Sequence, residues 1–283
     1  MTRLGRVPPG RIAVWVLTIG GIALAVRSAV IGPVPLRVAL GALGTYLVVI
    51  VTGVLVPRLE MFCDVRWRGD PGTRAVAFTF DDGPHPVSTR RVLAALRDAG
   101  ATATFFVIGR KAEAHPDLVR EIVAAGHTLG VHGYEHDWLY ALKPPRDVEG
   151  DIRRAQDVVE RACGVRPRWF RPPIGQVSPP TAEGARRAGV EIVGWSVRAF
   201  DGVSGTATAG VARRVARGLR AGAIILLHDA AEADDFHPAS AGALPALLAA
   251  ARERHLDVTG LEGVFADGAS KACSTSTAAV DLD

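Results

Sequence analysis

The stretch Ala75-Val76-Ala77-Phe78-Thr79-Phe80-Asp81-Asp82-Gly83-Pro84 runs from an apolar segment into two adjacent carboxylates and a turn. A short apolar run closed by Gly and Pro reads as a buried strand. Neighbouring side chains at a strand end point different ways, so one carboxylate can bind a metal while the other faces a substrate. The pattern repeats downstream. Residues 88–99, 116–125, 146–163, 181–188, 208–220 and 239–254 have helical character, and Gly100, Gly126, Gly164 and Gly189 stop the first four. Strand-like runs at 104–108, 128–131, 169–171, 191–197, 223–227 and 256–259 alternate with them. Repeated strand–helix alternation implies parallel strands covered by helices. Six or seven such units in roughly 190 residues predict an α/β fold, a distorted (β/α) barrel of six to eight strands.

Upstream the character changes. The 283-residue chain is 48% hydrophobic and 22% charged, with a mean hydropathy of +0.20, high for a soluble enzyme. The excess lies at the N-terminus. Residues 12–31 are interrupted by one charge, Arg27, and residues 38–56 carry none. At about 1.5 Å per residue, each run can cross a hydrocarbon core of about 30 Å. Arg27 is near enough to the end of its run to snorkel to the interface. A cleaved signal peptide over 1–25 is the simpler alternative, but a second apolar run follows it instead of a polar mature start. The expected organisation is a membrane anchor at 1–58 (one or two transmembrane helices, 12–31 and 38–56), a linker at 59–73, a catalytic domain at 74–262 and a disordered tail at 263–283. Arg3, Arg6 and Arg11 before the first run and Arg58, Arg66 and Arg68 after the second favour a hairpin with both ends cytoplasmic. A lone second span would instead put the domain outside, and the sequence leaves both topologies open. The membrane lipid around these helices is the one expected partner besides substrate. A net charge of +4, with 33 basic and 29 acidic residues, is no nucleic-acid signature. Three cysteines at 63, 163 and 273 make no disulfide framework, and no obligate protein partner is evident.

In a βα barrel the active site is built from residues just after each strand. Five strands here end in unusual polar groups: Asp81-Asp82, then His132-Gly133-Tyr134-Glu135-His136, then Arg171-Pro172-Pro173-Ile174-Gly175, then Trp195 with Asp201, then His228-Asp229. Two His at i and i+4 can reach one ion if the segment turns helically. Taken singly, each has a bland reading as a turn, a rigid loop or a capped core residue. Taken together, in order and on one barrel face, they point to a site.

This ordered set resembles the polysaccharide deacetylase family, the NodB-homology or carbohydrate esterase 4 domain, over about residues 74–261. The resemblance implies hydrolysis of N-acyl groups on amino sugars by one divalent metal ion, zinc first, with cobalt or another ion as alternatives. It implies Asp82, His132 and His136 as metal ligands and Asp81 as general base. It implies Arg171 as the residue that orients the base and His228 as general acid. The residue chemistry agrees, because amide hydrolysis needs an activated water, charge stabilisation and a proton for the departing amine. A slot near Leu226 and Trp195 is expected to hold the acetyl methyl. Two features depart from the family pattern. Gly133 stands where Ser or Thr is common, which predicts weaker loop support. Of the acidic pair usual after the strand tryptophan only Asp201 survives, with Arg198 in the other place. Asp201 is expected to partner His228 or Arg171, and Arg198 either favours an anionic substrate or points outward or pairs with an acidic neighbour. Tyr134, Trp138 and Tyr140 are either a sugar-stacking rim or core, and His85 either lines the groove or is a plain loop residue.

The expected substrate is an N-acetylated glycan, either a cell-wall polysaccharide or a lipid-linked sugar. The competing readings are a catalytically weak, membrane-tethered glycan-binding module and a metal phosphoesterase. The intact set of Asp81, Asp82, His132, His136 and His228 argues against the first. A single metal with a dedicated acid and base suits an amide better than two-metal phosphoester chemistry.

Overall fold

The computed structural model describes residues 7–265, so the first six residues of the expected anchor and most of the expected tail lie outside the described residues. Eight strands are present among the described residues: β1 (Ala75–Asp81), β2 (Thr104–Val107), β3 (Thr128–Val131), β4 (Trp169–Phe170), β5 (Glu191–Ile192), β6 (Val197–Arg198), β7 (Ile224–His228) and β8 (Asp257–Thr259). They form one curled sheet in the order β5-β4-β3-β2-β1-β7-β6, with β8 beside the first half of β1. Every strand pairing is parallel. Helices α3 (Ser88–Asp98), α4 (Gly109–Ala114), α5 (Pro116–Ala124), α6 (Pro145–Cys163), α7 (Pro179–Ala188), α8 (Thr208–Gly218) and α9 (Ser240–Glu253) connect the strands.

The period of two along each strand separates two cores. Val76, Phe78 and Phe80 face outward and pack with helix residues such as Val92, Leu96 and Leu247. Ala75 and Ala77 face the barrel interior with Phe106, Trp169, Val193 and Ile224. Continuing the inward alternation one or two steps brings Thr79 and Asp81, Arg171, and Leu226 and His228 to the upper end of the interior. The site is therefore the polar cap of an apolar barrel.

The expected strand over 191–197 is two short strands. The chain leaves β4 after Ile192 and joins β7 at Val197, so one half pairs with each neighbour. Between them Arg66 bridges Val193, donating its N–H to the Ile192 carbonyl at 2.8 Å. This split segment draws the two sheet edges together. The expected linker at 59–73 is packed rather than free. Met61 and Val65 are buried, and Gly69 N–H donates to Gly222 O and Asp70 N–H to Val264 O, both at 2.8 Å. Val264 and Phe265 are buried as well, so the packed chain runs past residue 262.

Two helices precede the barrel, α1 (Pro9–Ile31) and α2 (Leu36–Leu55). Both are long and apolar enough to cross a membrane. Each opens beside a proline, α1 at Pro9 itself and α2 just after Pro35, where a missing N–H or a fixed extended φ suits a helix start. Their large side chains, such as Trp15, Ile19 and Val48, are exposed around the helix. An all-round apolar surface suits lipid rather than water.

Candidate active site

β1 delivers two carboxylates in different directions. Asp81 is the last strand residue and points into the barrel mouth, where it is 3% exposed. There Arg171, fully buried, donates from Nη1 to Asp81 Oδ1 at 2.6 Å and to Thr79 Oγ1 at 2.9 Å. Arg171 Nη2 donates to Gly194 O at 3.0 Å, so the guanidinium is fixed on several sides. The rings of Phe106 and Trp195 flank it, 4.2 and 5.9 Å from its central carbon. A planar, always-charged fork is the group that can hold a buried carboxylate in one orientation. Asp82 turns away at φ 71°, a left-handed conformation that re-aims its side chain toward the third strand.

That turn brings Asp82 to the two histidines. Its Oδ1 lies 3.5 Å from His132 Nε2 and 3.4 Å from His136 Nε2, and the three ligand atoms all lie within 4.8 Å of one another. His132 Nδ1–H donates to the Arg171 carbonyl at 2.7 Å, which fixes the tautomer and leaves Nε2 with a free lone pair. Asp82 Oδ1 is buried and has no hydrogen-bond partner among the described residues. Burial pushes both imidazoles down to about pKa 3, so both are neutral at pH 7. Burial pushes Asp82 up to about 7, with Asp81 adding to the rise and His228 opposing it. Two neutral imidazoles and an orphaned carboxylate oxygen converging on one point fit a divalent cation. The segment 132–136 does not turn helically. The segment is an irregular loop with Gly133 at φ 77° and His136 at φ 58°.

The third part lies across the mouth. His228, the last residue of β7, donates its backbone N–H to Asp201 Oδ2 at 2.7 Å and faces Asp201 Oδ1 through Nδ1 at 3.1 Å. Asp201 is fully buried and partners His228, not Arg171. Burial disfavours the imidazolium, but Asp201, with help from Asp82 and Asp81, outweighs that effect and holds His228 up to about pKa 9. A Cβ at Gly202 would come within 2.9 Å of His228 Nδ1, so the glycine keeps the ring uncrowded. Leu226 and Trp195 do lie at the barrel mouth, Leu226 buried and Trp195 half-buried.

Two acidic residues escaped the sequence reading. Asp151 on α6 accepts from the Tyr134 N–H at 3.0 Å, the Glu135 N–H at 3.4 Å and the Tyr140 hydroxyl at 3.0 Å. It thereby holds the loop between the two histidines. This corrects the expectation that Gly133 weakens loop support. A Cβ there would lie 2.9 Å from Asp151 Oδ2, and φ 77° suits glycine. Gly133→Ala should cost about 1–2 kcal/mol for the left-handed backbone alone. A lower thermal midpoint and weaker divalent-ion binding are the expected results, and an unchanged midpoint would refute this account of the loop. Glu232, after β7, places Oε1 3.9 Å from His136 Nδ1. Its only sequence signal was position after the last motif. Of the aromatic candidates, Tyr134 and Tyr140 are core and Trp138 is 65% exposed. His85 accepts the N–H groups of Val87 and Ser88 at 3.3 Å, a turn role at the start of α3. Arg198 is exposed and stacks on Phe200, 4.9 Å from the ring centre.

A family model described as polysaccharide deacetylase matches residues 68–193. A chitooligosaccharide deacetylase of Sinorhizobium fredii is 36% identical over 195 residues, covering 66% of this chain and 90% of the relative. A peptidoglycan-N-acetylglucosamine deacetylase of Bacillus cereus is 34% identical over 172 residues, covering 58% and 77%. Among solved structures, a family 4 acetyl xylan esterase from Clostridium thermocellum in complex with a cobalt ion is 31% identical. Its TM-score is 0.62 over 67% of this chain and 89% of that one.

Proposed function

The chain belongs to the polysaccharide deacetylase family of hydrolases, and from that premise we propose a membrane-anchored, metal-dependent deacetylase of amino-sugar glycans. It removes the N-acetyl group, releases acetate, and acts on a carbon–nitrogen bond other than a peptide bond. One observation carries the reading. An arginine-clamped Asp81, an Asp82–His132–His136 cluster and an Asp201-backed His228 converge on one barrel mouth.

The chain's own groups divide the work. A divalent ion held by Asp82, His132 and His136, zinc by preference, would supply a Lewis acid that polarises the acyl carbonyl and acidifies water. Asp81, aimed by Arg171 and 3.8 Å from His132 Nε2, takes the proton of the attacking water. His228 is protonated at neutral pH and gives its proton to the departing nitrogen. Asp201 positions His228 and keeps it charged. Residues 1–58 act as the anchor, with residues 59–73 as a packed connector and the deacetylase domain following.

The direct test is acetate release from chitooligosaccharides and peptidoglycan fragments, with and without a chelator. Chelator-sensitive release is expected. Binding without release from any N-acetyl sugar would favour a glycan-binding module instead.

The pH profile adds a second check. His228 loses its proton as the pH rises through about 9, so kcat/KM should fall along that limb. Asp201→Asn removes the main anion holding the proton, and the limb should move to lower pH. Stability follows the same sign. The folded pKa lies above the ordinary 6.5, so this contribution is complete below pH 6.5 and is lost as the pH rises through about 9. Identical limbs in both chains would assign that titration to another group.

A further inference from the structure

We infer that the barrel mouth lies against the bilayer entered by α1 and α2, and that the substrate is a membrane-embedded lipid carrying its amino sugar through a phosphate. This rests on the deacetylase reading and narrows its substrate class.

The anchor is fixed to the rim of the site. Val177, just past the Arg171–Gly175 loop, donates its N–H to Val54 O in the last turn of α2 at 3.0 Å. Ser178 Oγ donates to Ala141 O at 2.8 Å and Gln176 Nε2 to Trp138 O at 3.2 Å, which ties the histidine loop to the same place. The other end of the hairpin is held too. Arg11 Nε donates to Glu60 O at 3.0 Å, and Gly10 lies so close to Leu59 that a Cβ would meet its carbonyl oxygen at 2.4 Å. A site strapped to the membrane exit in this way reaches molecules at the bilayer surface, not a distant polymer.

The surface around the mouth agrees. From residue 57 on, eight large apolar side chains are exposed among the described residues. Seven of them follow the C-terminal ends of strands, and Val165 alone lies at the opposite end. The histidine loop carries Trp138, Leu139 and Leu142, the Arg171 loop Ile174, and the Asp201 loop Phe200 and Val203. Sugars stack on aromatic rings, but aliphatic Leu, Ile and Val offer them nothing; such a rim matches acyl chains and the headgroup boundary.

A cleft of about 270 Å³ joins the two regions, lined by Leu55, Val56 and Arg58 from the anchor and by Trp195 and Arg198 from the barrel. Arg58 and Arg198 are exposed and have no carboxylate partner among the described residues. Two guanidinium groups without a carboxylate at a membrane boundary suit a phosphate. Trp195 separates this cleft from Arg171, and Arg171 holds Asp81. A phosphate bound in the cleft would sit against Trp195, one ring away from the arginine that holds Asp81.

The test uses the full chain in lipid vesicles with divalent ion. One probe is N-acetylglucosamine joined through phosphate to a long alkyl chain; the other is a soluble N-acetylglucosamine tetrasaccharide. Because anchoring raises the local concentration of a co-embedded substrate, kcat/KM should favour the lipid probe by at least about tenfold. Leu139→Glu with Leu142→Glu should erase that preference and leave the soluble rate unchanged. Arg58→Ala with Arg198→Ala should raise KM for the phosphate probe but not for an uncharged alkyl glycoside. Equal or faster turnover of the tetrasaccharide overturns the inference while the deacetylase reading stands. If neither probe is hydrolysed, the deacetylase reading fails, and the orientation is decided separately by brominated lipid. In a Trp15→Phe chain, bromolipid should quench a fluorescence component that Trp138→Phe removes; no such component would overturn the orientation.

Discussion

Asp81→Asn should abolish acetate release while leaving divalent-ion binding in place. The two carboxylates of the Asp-Asp pair face different partners, Asp81 toward Arg171 and Asp82 toward His132 and His136. Asparagine keeps the shape of Asp81 and one oxygen for Arg171, but it cannot take a proton from water. General-base loss of this kind costs about 10²–10⁴-fold in rate. The change also leaves the fully buried Arg171 without an anion. Removing one partner of a buried pair costs about 3–5 kcal/mol, so the variant should unfold at lower temperature as well. The two effects separate experimentally. Titration with divalent ion at a temperature where the variant is folded should give wild-type stoichiometry, and single-turnover acetate release should be at background. Near-normal release from a folded, ion-loaded Asp81→Asn chain would remove Asp81 from the mechanism.

The parts legible in the sequence share one property: they are local. The Ala75–Asp81 strand, its period of two and the carboxylates at its end are set by adjacent residues, and so is each polar group that closes a later strand. The barrel then brings those ends together because parallel strands share a polarity. What stayed hidden depends on distant partners. Nothing in 191–197 says that its halves pair with different strands; that follows from Arg66 filling the gap. Asp151 sits on an amphipathic helix among other charges, and only the folded loop makes it the acceptor for Tyr134 and Glu135. The i, i+4 spacing of His132 and His136 brings two rings to one ion if the segment turns helically, and the chain reaches the same proximity by another route. Positive φ at Gly133 and His136 converges their rings without a helix.

Removing the divalent ion is the other change with a large expected effect, and its pH dependence gives it a signature. Chelation should reduce acetate release to background, as should His132→Ala or Asp82→Ala, because on the proposed reading each takes away one of three protein ligands. Metal ligands must be deprotonated to bind, so affinity records their protons. Histidine ligands with ordinary values would compete with the ion near pH 6.5. Here burial has already lowered both imidazoles to about 3, and Asp82 at about 7 is the ligand that must give up a proton. As the pH is lowered from 7 to 5, then, ion affinity should fall with a slope of about one proton, not two. The stability of the ion-free chain has a matching sign. Asp82 is raised above its ordinary 3.8, so the folded chain holds a proton that the unfolded chain has lost. That contribution is present below pH 3.8 and is lost as the pH rises through about 7. The ion should restore it, and the rise in thermal midpoint on loading should be larger at pH 8 than at pH 5. Calorimetry in buffers of different ionisation enthalpy counts the released protons directly. A count of two near pH 6, or none, would mean that the histidines or another carboxylate set the affinity, and that the buried Asp82 is not the ligand whose charge the ion restores.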